Sequence, residues 1–164
     1  MPEIRRGARL ALDWGAARIG VAACDRDGIL AFPVEAVPAG PDAVRRILAL
    51  VGEYEPVEVL LGLPRTLAGD DGIAAEKIRI IAVELAGLLP VPLRLVDERL
   101  TTAEAAKRLH RAGRNTREQR SRIDAAAAAG LLEHALAVEA STGGPPGEAV
   151  VAPVVDQRPG EEPA

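Results

Sequence analysis

Aromatic side chains are almost absent from this chain, which has one Phe, one Tyr and one Trp in 164 residues. A stacking platform for unpaired bases needs several aromatic faces, so any contact with nucleic acid must rest on charge and backbone. The core must likewise come from Leu, Val, Ile and Ala. Cysteine is equally scarce: Cys24 alone excludes an internal disulfide and, with no His nearby, a thiolate zinc site. It reads as a small buried hydrophobe. No run of about 18 apolar residues occurs, and the N-terminus has no long apolar segment, so a soluble cytoplasmic protein with no membrane partner is expected. A basic excess is missing too, with 20 Lys and Arg against 24 Asp and Glu.

That net charge of −4 hides an uneven distribution. Residues 107–122 carry Lys107, Arg108, Arg111, Arg114, Arg117, Arg120 and Arg122 against one acid, Glu118, whereas Glu148, Asp156, Glu161 and Glu162 follow Gly147 against Arg158. The basic run is either a solvated helix face or a surface for phosphates. At 48% hydrophobic, the chain holds enough apolar material for one core and one domain.

Residues 8–14 and 17–24 read as two strands around a Gly15-Ala16 turn, and residues 29–37 as a third after the Asp25-Arg26-Asp27-Gly28 turn. Val44, Ile47, Leu48 and Val51 then fall at helical spacing behind Asp42 as cap. The apolar run 57–63, ended by Pro64, is expected as a parallel strand covered on both faces. Ala74, Ile78, Ile81, Leu85 and Leu88 predict a helix over 71–89, stopped by Pro90. A strand over 91–96 follows, then a helix from the Thr101-Thr102-Ala103-Glu104 capping box to about Ala112. Ser121 is expected to cap a last helix reaching about Ala140, with its alanine run packed closely on a neighbour. Glycine, proline and charge dominate residues 142–164, expected as a disordered tail behind a domain of residues 1–141. The order βββ-α-β-α-β-α-α implies an α/β fold with a mixed five-stranded sheet and helices on both faces. This is the element order of the ribonuclease H-like fold.

Against that frame, Asp13 is out of place. A lone carboxylate ends the apolar stretch Leu10-Ala11-Leu12, and removing an ionised group from water costs several kcal/mol unless it is paired or binds a metal. Two more acidic positions stand at element ends: the Asp97-Glu98 pair after the last strand, and Asp124 early in the final helix. Singly, each has a structural reading, as a turn residue, a strand-end cluster or a partner of the helix dipole. Converging, they would need a divalent cation, and hard oxygen ligands suit Mg²⁺ or Mn²⁺, the usual apparatus of phosphodiester hydrolysis. Strand alternation puts Asp97 and Glu98 on opposite faces, so one of the two enters such a site, and spacing does not say which.

Four blocks, Asp13-Trp14-Gly15-Ala16-Ala17-Arg18-Ile19-Gly20-Val21-Ala22, Gly62-Leu63-Pro64, Asp97-Glu98-Arg99-Leu100-Thr101-Thr102 and Ile123-Asp124-Ala125-Ala126-Ala127, are similar in sequence and order to the signatures of the YqgF family. Its members are described as pre-16S rRNA nucleases or Holliday-junction-resolvase-like proteins, and the resemblance spans residues 8–140. It implies an RNase H-like fold, a divalent-metal-dependent nuclease, and a role in maturing the 5′ end of 16S rRNA on pre-ribosomal particles in the bacterial cytoplasm. It also implies Asp13, Glu98 and Asp124 as catalytic metal ligands, with Asp97 in reserve. Arg18 would lie near the same strand end, to hold a phosphate, to pair with a site carboxylate, or to serve as an ordinary hairpin salt bridge. Arg65, Thr66 and Arg99, with Lys107, Arg111, Arg114, Arg117 and Arg120, are the expected nucleic-acid contacts.

The chain departs from the family pattern at Ala17, where many relatives are basic, and in Arg65-Thr66-Leu67-Ala68-Gly69, which replaces the usual Leu-Asn-Met-Asp-Gly. Three other readings stand beside pre-16S RNA cleavage. A Holliday-junction resolvase would use similar carboxylates on branched DNA and would need a homodimer rather than a monomer; a non-catalytic assembly module would share only the fold. A kinase-like fragment is disfavoured by the short chain, because such enzymes clasp nucleotide between two domains.

Overall fold

A computed structural model describes residues 4–66, 68–99 and 116–152. Arg9–Trp14 (β1), Arg18–Cys24 (β2) and Ala31–Pro38 (β3) form the expected antiparallel meander. Ala43–Tyr54 (α1), Glu58–Leu63 (β4), Ile73–Leu88 (α2), Leu93–Asp97 (β5) and Arg117–Thr142 (α3) follow. β4 pairs parallel with β1, and β5 parallel with β4, so the crossovers predicted from alternating helices and strands are present. The helix expected from Thr101 to Ala112 falls outside the described residues.

Alternation along the strands divides the apolar residues between two faces. Leu10, Leu12, Val59, Leu61, Leu93 and Leu95 pack with Ile47 and Leu50 of α1 and Ile78 and Leu85 of α2. Ala11, Ala22, Leu60 and Val96 pack with Ala128, Leu131, Leu132 and Ala135 of α3. The second layer is thin because α3 presents alanines, and small side chains let a helix backbone lie close to the strands beneath it.

Three expectations are corrected. The last helix begins four residues before Ser121: Thr116 accepts a hydrogen bond from the Gln119 amide, and the Gln119 side chain accepts one from the Thr116 amide. This Thr-x-x-Gln capping box satisfies two orphan donors at once, and it moves Asp124 from the first turn to the eighth helical residue, beyond the reach of the helix dipole. Asp42 precedes α1, but its side chain makes no capping hydrogen bond. Among the described residues the sheet has six strands rather than five, in the order β3-β2-β1-β4-β5-β6, because Glu148–Ala149 (β6) pairs antiparallel with β5 inside the segment expected as the start of a disordered tail.

Side chains fix that sixth strand. Arg94 donates to the carbonyls of Pro146 (2.6 Å) and Gly147 (2.9 Å), and Arg79 donates to Glu148 (2.9 and 3.3 Å) and to Asp71 (2.5 Å). The Arg79 hydrogen bonds hold the carboxyls of Glu148 and Asp71 below their ordinary values. A carboxyl whose folded value is depressed adds stability above its ordinary value and loses it as pH falls through the depressed one. The attachment of β6 is therefore expected to be complete at neutral pH and to weaken below about pH 4, modestly because these groups are exposed. Hydrogen exchange of the Val150 amide, which donates to Leu93, measures this: its protection factor should fall between pH 5 and 3 while that of Leu61 holds.

Candidate active site

Because β1, β4 and β5 run parallel, Asp13, Leu63 and Asp97 end on one edge of the sheet. Asp13 follows Ala11 in the alternation and so belongs to the α3 face. Its partner across the β1–β2 ladder is Gly20; on the other side Leu12 pairs with Leu61, which sets Gly62 beside Asp13. Both neighbours are glycines for a steric reason. A Cβ on Gly20 would stand 2.0 Å from the Asp124 carbonyl oxygen, and one on Gly62 would stand 2.7 Å from Oε2 of Glu98. The two missing side chains let α3 lie on β2 at Asp124 and let the Glu98 carboxylate fold over β4.

Asp13 is thus bordered by the Asp124 turn of α3 on one side and by Glu98 on the other. Asp13 and Glu98 are each 5% exposed. The Glu98 amide donates to the Leu63 carbonyl at 3.2 Å, which continues the β4 ladder and fixes the direction of its side chain. Asp124 accepts a hydrogen bond from Nε of Arg18 at 2.7 Å, with both side chains 19% exposed. This ion pair joins β2 to α3 and is not made within the hairpin.

Asp97 lies on the opposite face. Arg99 donates to it from its amide (2.9 Å) and from its guanidinium (2.7 to 3.1 Å), and Arg65 stands 3.9 Å away. Burial raises its carboxyl, but the Arg99 hydrogen bonds outweigh that and keep it below the usual range. The loop contacts expected for nucleic acid are engaged within the protein. Arg65 is ion-paired with Asp71 (3.4 Å) and Glu148 (3.8 Å), the Thr66 hydroxyl accepts from the Asp70 amide (3.2 Å), and Arg99 reaches the Thr66 carbonyl (3.4 Å). Arg117 and Arg120 are exposed at the start of α3. Lys107, Arg111 and Arg114 lie outside the described residues.

The donor set is purely carboxylate, which suits a hard divalent cation such as Mg²⁺ or Mn²⁺. Among the described residues, however, no three acidic or metal-ligating side chains stand at the spacing of a closed metal site. The Arg18 contact turned onto Asp124 is the one a cation would have to displace or share. Sequence reading missed Gly20, Gly62, Asp71, Arg79 and Glu148 as parts of this edge. The glycines had a signal, since a glycine inside a strand marks a close approach. Glu148 had none, because its partners Arg65 and Arg79 are 83 and 69 residues away.

Residues 7–138 match the family model described as RuvX: Holliday junction resolvase. A protein of Streptomyces coelicolor named "Putative pre-16S rRNA nuclease" is 56% identical over 152 residues, covering 91% of each chain. One of the same name from Thermobifida fusca is 53% identical, covering 90% of this chain and 98% of its own. Among solved structures, the RuvC of Thermus thermophilus aligns over 82% of this chain and 97% of its own, at TM-score 0.46 and 16% identity.

Proposed function

The chain belongs to the RuvX family, and on that footing we propose that it matures pre-16S rRNA in the cytoplasm, using Asp13, Glu98 and Asp124 as its catalytic carboxylates. It is a nuclease, a hydrolase of phosphodiester bonds, as its family membership and its named relatives establish. No helix among the described residues is long and apolar enough to cross a membrane.

The observation that carries the site is the pair of glycines around Asp13. Two nearly buried carboxylates, Asp13 and Glu98, are held at the carboxyl edge of the sheet only because Gly20 and Gly62 leave room for α3 and for Glu98. Burial of acidic groups is costly and serves stability poorly, so their presence there fits a site. Asp13, Glu98 and Asp124 would hold Mg²⁺ or Mn²⁺, which supplies a Lewis acid for the phosphodiester when bound. Asp13 is fixed by its strand and Glu98 by the ladder bond to Leu63, so the reorganisation needed falls on Asp124, which would turn from Arg18 to present a third acceptor. Arg18, already at Asp124, is placed to meet a phosphate oxygen once that carboxylate turns to the cation. Arg117 and Arg120, with the basic residues before them in sequence, neutralise the backbone of an RNA of uniform negative charge.

A second reading, cleavage of four-way DNA junctions, is favoured by the description attached to the matching family model. Both are tested by giving the purified chain pre-16S RNA, duplex DNA and a four-way junction, each with Mg²⁺, Mn²⁺ or a chelator. Cleavage of the RNA alone is expected, with the chelator abolishing it and either metal restoring it. Symmetric cutting of the junction with the RNA left intact would reverse the two readings, and cleavage that persists in chelator would remove the metal from both.

A further inference from the structure

Helix α2 has more apolar surface than its own fold uses. Ala75, Ile78, Ala82 and Leu85 face the sheet and are buried, yet Ile73, Ile80 and Leu88 are 76%, 64% and 58% exposed and Val83 is 40% exposed. Four of the eight exposed large hydrophobic residues among the described ones belong to this single helix. An exposed apolar patch of this kind on a helix marks a surface that another body covers.

The outward face has an order. Ile73, Ile80 and Gly87 are seven residues apart, so they form one line that drifts only about 20° per step. Glu76 and Val83 flank it on one side, and Lys77, Glu84 and Leu88 on the other, all exposed. We propose that this face is the contact surface for a second copy of the same chain, with the two α2 helices antiparallel and crossing at Ile80.

The pattern fits that partner better than it fits an unrelated one. About a two-fold axis at Ile80, Ile73 falls on the partner subunit's Gly87, where the missing side chain leaves room for it. Like flanks meet in an antiparallel pair, so Lys77 comes beside the partner subunit's Glu84, and the same ion pair forms again by symmetry. On the other flank Glu76 meets Val83, and no like charges are opposed. A parallel pairing would instead set Gly87 against Gly87 and leave a gap. The line also continues into a groove of about 550 Å³ between the C-terminal ends of α1 and α2, lined by Leu48, Val51, Leu88, Pro90 and Val91. Ile73 arriving at Gly87 and Leu88 reaches the lip of that groove. The inference rests on α2 alone and is independent of the nuclease reading.

One helix pair buries less than the roughly 800 Å² per partner of a standard interface, so the dimer is expected to dissociate with a Kd on the order of 10–100 μM. Sedimentation velocity on the full chain, from about 1 μM to several hundred μM, tests this. Lys77→Glu is expected to weaken self-association by roughly tenfold or more, and the double change Lys77→Glu with Glu84→Lys to restore it, a rescue that a general loss of folding cannot mimic. Ile80→Cys should cross-link to a covalent dimer under mild oxidation, because Cys24 is buried. A chain monomeric across the whole range would overturn the proposal. So would a dimer indifferent to both Lys77→Glu and Ile80→Glu in variants with native circular dichroism. Appearance of the dimer only after deletion of residues 153–164 would assign the face to that segment, and would equally overturn the proposal for the full chain.

Discussion

Asp13→Asn is expected to lower phosphodiester hydrolysis by about three orders of magnitude or more, while the folded protein keeps its stability and its affinity for RNA. Asparagine keeps the shape of the side chain between Gly20 and Gly62 and removes only the charge. A cation held at this edge, as proposed, would contribute several kcal/mol to the transition state, and each 1.4 kcal/mol is a factor of ten in rate. Stability should hold, because the substitution preserves the volume of a side chain that is only 5% exposed. RNA affinity should hold because the guanidinium groups of Arg117 and Arg120 are untouched. Single-turnover cleavage of pre-16S RNA in Mg²⁺, read beside a binding titration and a melting curve, separates the three quantities. Cleavage by the variant at the parent rate would show that the site lies elsewhere.

The second large effect lies at the other end of the molecule. Arg9 (1% exposed), Glu58 (2%) and Glu139 (1%) are buried where β1 and β4 begin. Arg9 donates to Glu139 at 2.9 Å, and Arg5 bridges Glu58 and Glu139. Glu139 follows Asp124 by fifteen helical residues, about 22 Å along α3, so this cluster is far from the candidate chemistry. Removing one partner of a buried ion pair strands the other, at a cost of roughly 3–5 kcal/mol. Glu139→Ala is therefore expected to lower the melting temperature by roughly 10 °C with the cleavage rate per folded molecule unchanged. Replacing Arg9 and Glu139 together by Met and Leu should cost much less than the single change, since neither charge is then left alone. Thermal melts of the three proteins check the ordering. Equal losses for the single and double changes would mean that the cluster is held by packing rather than charge.

Most of the sheet was legible because its signals are local: hairpin turns, alternation, and a change from period two to period 3.6. Asp13 was conspicuous for the same reason, as a charge at the end of a run that should be dry. The buried cluster was invisible because Arg9 reads as an ordinary strand-entry residue, and the partner that explains it lies 130 positions away. The cap of α3 lies at Thr116 rather than Ser121 because both are hydroxyl side chains able to cap, and only Thr116 has Gln119 three residues on to complete the box. β6 was missed because a two-residue strand has no periodicity, and the side chains that hold it, Arg79 and Arg94, are distant in sequence. Asp97 and Glu98 could be assigned to opposite faces from alternation alone. Their surroundings, Arg99 on one and Gly62 under the other, depend on elements distant in sequence.

The sixth strand also decides how this protein behaves in a crowd. An open sheet edge is a template on which another chain can add itself, and natural proteins blunt such edges. At one side β3 carries Pro33 and ends in Pro38, residues that cannot donate to a ladder. At the other, Glu148 and Ala149 cover β5 with a strand too short to recruit a neighbour, and Gly147 makes the tight approach possible, since a side chain there would meet the Leu95 carbonyl at 2.0 Å. A chain cut before Pro146 would lose that cover and leave β5 as an open edge, and it is expected to aggregate more readily than the full chain.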